Sequence, residues 1–89
     1  MKDIMSIMSI MFKNNLTYFE GYNTGNGLVI LFSELHDGKG QSCEIDSINK
    51  KITIFIRELG YLIIINFLEE NEIPKILTDE FSKGEKKKK

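Results

Sequence analysis

Polar and apolar positions alternate most regularly in "QSCEIDSINKKITIFIRELGYLIIINFL", residues 41 to 68. Each short run is rich in Ile, Thr, Phe and Tyr and ends at turn-forming residues, which predicts three antiparallel strands reversing at Asn49-Lys50 and Leu59-Gly60. With those turns the pattern sets cross-strand rows Cys43/Ile56/Ile63, Ile45/Ile54/Ile65 and Ser47/Ile52/Phe67 on one face. A slip of one residue would scatter this apolar set over both faces, so the pattern itself constrains the register. A four-residue loop on the same centres keeps the rows. Lys50 or Leu59 in a two-residue turn would be strained at positive φ.

The opposite face has rows Asp46/Thr53/Asn66, Glu44/Phe55/Ile64 and Ser42/Arg57/Leu62. It starts polar at the first of these strands and ends apolar at the third. Phe55, Leu62 and Ile64, with Arg57 beside them, therefore form the candidate interface, because an apolar sheet surface needs a helix, a second layer or another subunit to cover it. Residues 59 to 68 also admit a helical reading, since Leu59, Leu62, Ile63, Asn66 and Phe67 share a helical face. The triple Ile and Gly60 argue against it.

Upstream, "NLTYFEGYNTGNGLVILFSEL" predicts a hairpin, with strands near 16 to 22 and 28 to 35 around the glycines of "NTGNG". "HDGKGQ" follows as an exposed loop. Downstream, "EIPKILTDEF" predicts a short helix with Pro74 in its first turn and Ile73, Ile76, Leu77 and Phe81 along one stripe. The opening "IMSIMSIMF" does not alternate as a strand would. As a helix it places Lys2, Ser6, Ser9 and Lys13 along one stripe and apolar residues around the remainder. It is expected either to pack on the uncovered Phe55/Leu62/Ile64 face or to be a leader ahead of a start at Met5, Met8 or Met11.

The expected fold is thus α+β: a small antiparallel meander sheet of about five strands, open or barrel-like, with an N-terminal helix and a short C-terminal helix. Residues 1-82 form a single small domain and 83-89 a disordered basic tail. Sm-type barrels share the outline of a helix and five strands, but their sequence motifs are absent here, so the likeness is one of fold alone.

Composition narrows the chemistry. The 89 residues include fourteen Ile and eleven Lys but no Ala and no Trp, as an AT-rich coding sequence produces, and a phage or mobile-element origin would suit it. Net charge is -1, yet residues 1 to 82 carry a balance of -5 and residues 83 to 89 one of +4. One cysteine, Cys43, and one histidine, His36, provide neither an intramolecular disulfide nor a tetrahedral zinc site within one chain. A reducing compartment fits, and a cytoplasmic location is expected. The longest apolar run, residues 59 to 68, has about half of the ~20 residues a membrane-spanning helix needs. A secretory leader is not expected, because Asp3 offsets Lys2 and no small-residue cleavage site follows.

No catalytic residue, cofactor or metal site is expected. "HDGKGQS" lacks the first glycine of a phosphate-binding loop and leads into a strand. His36 and Asp37 are neighbours in a loop, where catalytic geometry is rarely held, and Cys43 falls on the core face as a small hydrophobe. The acidic residues Glu69, Glu70 and Glu72 suit a helix N-terminus. Asn15-Leu16-Thr17 matches a glycosylation sequon but lacks a secretory context.

The leading expectation is a small non-catalytic protein-interaction module, an adaptor, inhibitor or regulatory subunit, that self-associates through the apolar sheet face. Its expected partners are proteins, first a second copy of the chain. The alternative is single-stranded nucleic-acid binding, with bases stacking on Tyr18, Tyr22 and Tyr61 and phosphates meeting Lys86, Lys87, Lys88 and Lys89.

Overall fold

The computed structural model describes residues 3–36, 40–56 and 60–87. In chain order they form α1 (Ile4–Lys13), β1 (Tyr18–Asn23), β2 (Leu28–Ser33), β3 (Ser42–Asp46), β4 (Lys51–Ile56), β5 (Tyr61–Asn66), a single 3-10 turn (Glu70–Glu72) and α2 (Ile73–Lys87). The strands pair antiparallel in sequence order, and the sheet does not close, so β1 and β5 are its two edges. This is the expected α+β meander, in its open form.

The repeated Ile-Met-Ser triplet is helical because its spacing puts Ile7 and Met11 on one buried stripe and leaves Ser6, Ser9 and Lys13 exposed. The helix stops at Asn15, which takes the left-handed conformation with φ 69°. Leu16 N–H then donates to Met11 O at 2.9 Å and Asn15 N–H to Phe12 O at 3.1 Å. This paired closure satisfies two carbonyls of the last turn, and it buries Leu16 with Met11 in the core. The sequon asparagine is thus a helix stop. Because Leu16 serves that stop, β1 begins at Tyr18 and not at Leu16.

Both predicted hairpin registers are displaced by two residues. Cys43 faces Ile54 and Ile45 faces Ile52, while Ile54 faces Ile63 and Ile52 faces Ile65. Asp46 supplies the physical reason at the first turn. Its Oδ1 accepts from Ile48 N–H at 2.9 Å and from Asn49 N–H at 3.0 Å, and its Oδ2 accepts from the Asn49 side-chain amide at 2.9 Å. The turn therefore starts directly after Asp46, and Lys50 closes it at φ 54°. Since the displacement is even, every side chain keeps its predicted face. Residues 61 to 66 form a strand, which excludes the helical reading.

The inner face consists of the rows Phe19/Phe32/Cys43/Ile54/Ile63 and Gly21/Ile30/Ile45/Ile52/Ile65. Against it pack Ile7 and Met11 of α1, Leu16, Phe67, and Ile73 and Leu77 of α2, all in one core. Here the structure corrects an expectation: α1 does not cover Phe55, Leu62 and Ile64 but lies on the other side of the sheet. Apart from Gly21 the inner rows are apolar in every strand, whereas the outer rows are broken by Glu20, Ser42, Glu44 and Asp46, so a helix buries more apolar surface on the inner side.

The path into α2 is set by the acidic cluster. Glu72 Oε1 accepts from Leu68 N–H at 3.0 Å and Glu69 N–H at 2.8 Å, and the Glu69 side chain reciprocates at the Glu72 backbone. Pro74 then sits in the first turn of α2.

Candidate functional site

The register gives the outer face three rows: Tyr18/Ser33/Ser42/Phe55/Leu62, Glu20/Leu31/Glu44/Thr53/Ile64 and Tyr22/Val29/Asp46/Lys51/Asn66. Both helices occupy the other side, and no described element covers these rows. Leu62 is 58% exposed and Ile64 60%, high for aliphatic side chains that are neighbours on one strand. Phe55 lies beside Leu62 and is half-buried. The structure thus brings Phe55, Leu62 and Ile64 together as the sequence pattern requires. Arg57, the fourth interface candidate, lies outside the described residues.

The β1 end of the same face is different in kind. Tyr18 and Tyr22 are about half exposed, as base-stacking residues would need to be. Between them stands Glu20, whose Oε2 accepts from the Tyr22 hydroxyl at 2.6 Å. That hydrogen bond, with the charges of Glu20 and Glu44, pushes the phenol pKa up. Anionic groups therefore crowd the aromatic patch. The Tyr61, Lys86 and Lys87 side chains, and Lys88 and Lys89 entirely, lie outside the described residues.

The β5 edge is the feature that pattern reading did not single out. Phe67 N–H donates to Lys50 O at 3.0 Å, in line with the β4/β5 register. In an antiparallel ladder directly opposed bonding pairs recur every second residue, so Tyr61, Ile63 and Ile65 exchange their hydrogen bonds with β4. The N–H and C=O groups of Leu62, Ile64 and Asn66 consequently point away from the sheet. The strand "YLIIIN" has no charged side chain, whereas the other edge, "YFEGYN", carries Glu20. On the inner side an open groove runs beside β5, lined by Ile65 and by Ile76, Asp79, Glu80, Ser82 and Lys83 of α2. Lys83 Nζ is 2.9 Å from Glu80 Oε2. The signal for this edge was present in the sequence as an uncharged run in the last strand of a meander. Its weight depends on the sheet remaining open.

Among the described residues the reactive side chains do not converge. Cys43 is fully buried, and burial pushes its thiol pKa up to about 12, so it is neither a thiolate nor reachable. His36 is exposed and meets the Tyr18 ring edge-on at 5.9 Å between centroids. Its loop neighbour Asp37 lies outside the described residues, as do Gly38 and Lys39. Among the described residues no group of three His, Cys, Asp or Glu side chains is placed to hold a metal ion. No described helix is long and apolar enough to cross a membrane. No protein-family model, curated protein or solved structure matches the chain.

Proposed function

We propose that the protein is a non-catalytic protein-interaction module, acting as an adaptor, inhibitor or regulatory subunit, that self-associates through the β4–β5 end of its outer sheet face. One observation carries this reading: Leu62 and Ile64 stand side by side in solvent on a strand that also forms a sheet edge. Association would remove that apolar surface from water at about 25 cal/mol per Å².

Sedimentation velocity over a wide concentration range tests the reading, comparing the wild type with Leu62→Glu and Ile64→Glu. Both side chains project into solvent, so the variants should keep the wild-type circular dichroism. The expected result is concentration-dependent assembly of the wild type and its loss in both variants. A wild type that sediments as a monomer throughout would overturn self-association.

The competing reading, single-stranded nucleic-acid binding, draws support from the exposure of Tyr18 and Tyr22. Glu20 and Glu44 on the same face oppose it, since a phosphate backbone would approach like charge there.

A further inference from the structure

Resting on that reading, we propose that the second copy joins edge to edge, its β5 pairing antiparallel with β5 so that two five-stranded sheets become one of ten strands about a two-fold axis at Ile64. The backbone dictates the register. Only Leu62, Ile64 and Asn66 present outward N–H and C=O groups, so every bonded pair across the junction must come from these three. Ile64 opposite the partner's Ile64, with Leu62 opposite the partner's Asn66 and Asn66 opposite the partner's Leu62, uses all of them. Moving the centre to Ile63 would set Asn66 against the partner's Gly60, which sits in a turn at φ 66°, and that pair would be lost.

Side chains agree with this register on both faces. Outside, Ile64 meets the partner's Ile64; inside, Ile63 meets the partner's Ile65 and Ile65 the partner's Ile63, so the inner apolar rows run on across the junction. No like charges are brought opposite one another in the strand, because β5 has none. The two-fold also brings the two inner grooves to the same seam. Each groove wall carries Ile65 and Ile76, which extend the apolar seam, and a Lys83–Glu80 pair already closed within its own copy at 2.9 Å. By contrast, pairing at the β1 edge would bring Glu20 toward the partner's Glu20.

Amide hydrogen exchange on the intact chain, measured dilute and concentrated, tests the pairing. The amides of Leu62, Ile64 and Asn66 are expected to exchange fast when dilute and to become protected on assembly, whereas those of Ile63 and Ile65 stay protected throughout. Ile64→Pro supplies the second measurement. It removes an N–H that β4 does not use, so the fold is retained while association weakens by about tenfold or more through the loss of two symmetry-related hydrogen bonds. If the wild type assembles but those three amides still exchange fast, or Ile64→Pro assembles like the wild type, edge pairing is overturned and face-to-face stacking explains the association. A wild type that remains monomeric overturns both this inference and the self-association on which it rests. Should Ile64→Pro unfold, the exchange measurement on the wild type still decides.

Discussion

Asp46 fixes where β3 ends, and its carboxylate is nearly the whole of the turn that follows. Three hydrogen bonds, the largest influence being that from the Asn49 side chain, hold its pKa below the ordinary 3.8. A carboxyl whose folded pKa is depressed contributes stability above its unfolded pKa and loses it as pH falls through the folded one. Asp46→Ala should therefore cost about 1–3 kcal/mol in urea unfolding at pH 7, with the gap to wild type narrowing below about pH 4. Lys50 closes the same turn at positive φ, a conformation that costs a non-glycine residue roughly 1–2 kcal/mol. Lys50→Gly should raise stability by about 0.5–1 kcal/mol, since relief of strain outweighs the added freedom of the unfolded chain. Cys43 titrates in the opposite sense. Its folded pKa, raised to about 12, keeps the thiol neutral while the unfolded chain ionises nearer 9, so its contribution is whole below about pH 9 and drains away as pH rises toward 12. Cys43→Ala should flatten that alkaline loss, and the native wild-type thiol should resist a disulfide reagent until the protein is unfolded.

At the scale of elements, the strands were legible because period-two patterning with Ile and Phe survives any even change in register. The turn centres were not, because Asp46 competes for the backbone amides of Ile48 and Asn49 through a side-chain preference that hydrophobic patterning does not see. The same holds for Asn15, whose left-handed conformation closes α1 through the Met11 and Phe12 carbonyls. The site was half legible: alternation placed Phe55, Leu62 and Ile64 on one face, but which face the helices cover depends on comparing both faces over all five strands. Glu20 on β1 and Glu44 on β3 decide that comparison, and the first lies outside the segment from which the register was read. The opening triplet is resolved by α1, whose Ile7 and Met11 are fully buried while Met5 is 75% exposed. Ile7→Ala should then cost about 2–5 kcal/mol in chemical denaturation and Met5→Ala almost nothing, a contrast that a dispensable leader would not produce.

For the whole molecule, size and charge set what association can do. At 89 residues a single core leaves little stability in reserve, so a partner that binds only the folded state should show in the melting temperature. Mass action gives roughly 2.7 kcal/mol when the concentration stands about a hundredfold above the dissociation constant, and a domain of this size gains about 4–8 °C per kcal/mol. Calorimetry on the wild type should therefore show a midpoint that climbs by roughly 10 °C or more from dilute to concentrated solution. Leu62→Glu should melt at one temperature regardless of concentration, close to the dilute wild type, because its side chain leaves the core untouched. The acidic body sharpens the distinction from nucleic-acid binding: the -5 balance of residues 1 to 82 repels phosphate, while the lysines of residues 83 to 89 attract it, and Glu20 and Glu44 stand beside Tyr18 and Tyr22. Added oligonucleotide should leave the midpoint unmoved at physiological salt, whereas a ligand of the Tyr18 and Tyr22 surface would raise it and lose that effect steeply with salt. A midpoint that ignores protein concentration but responds to single strands would reverse the two readings, and a midpoint that responds to concentration in the wild type but not in Leu62→Glu places the binding energy at the surface Leu62 shares with Ile64.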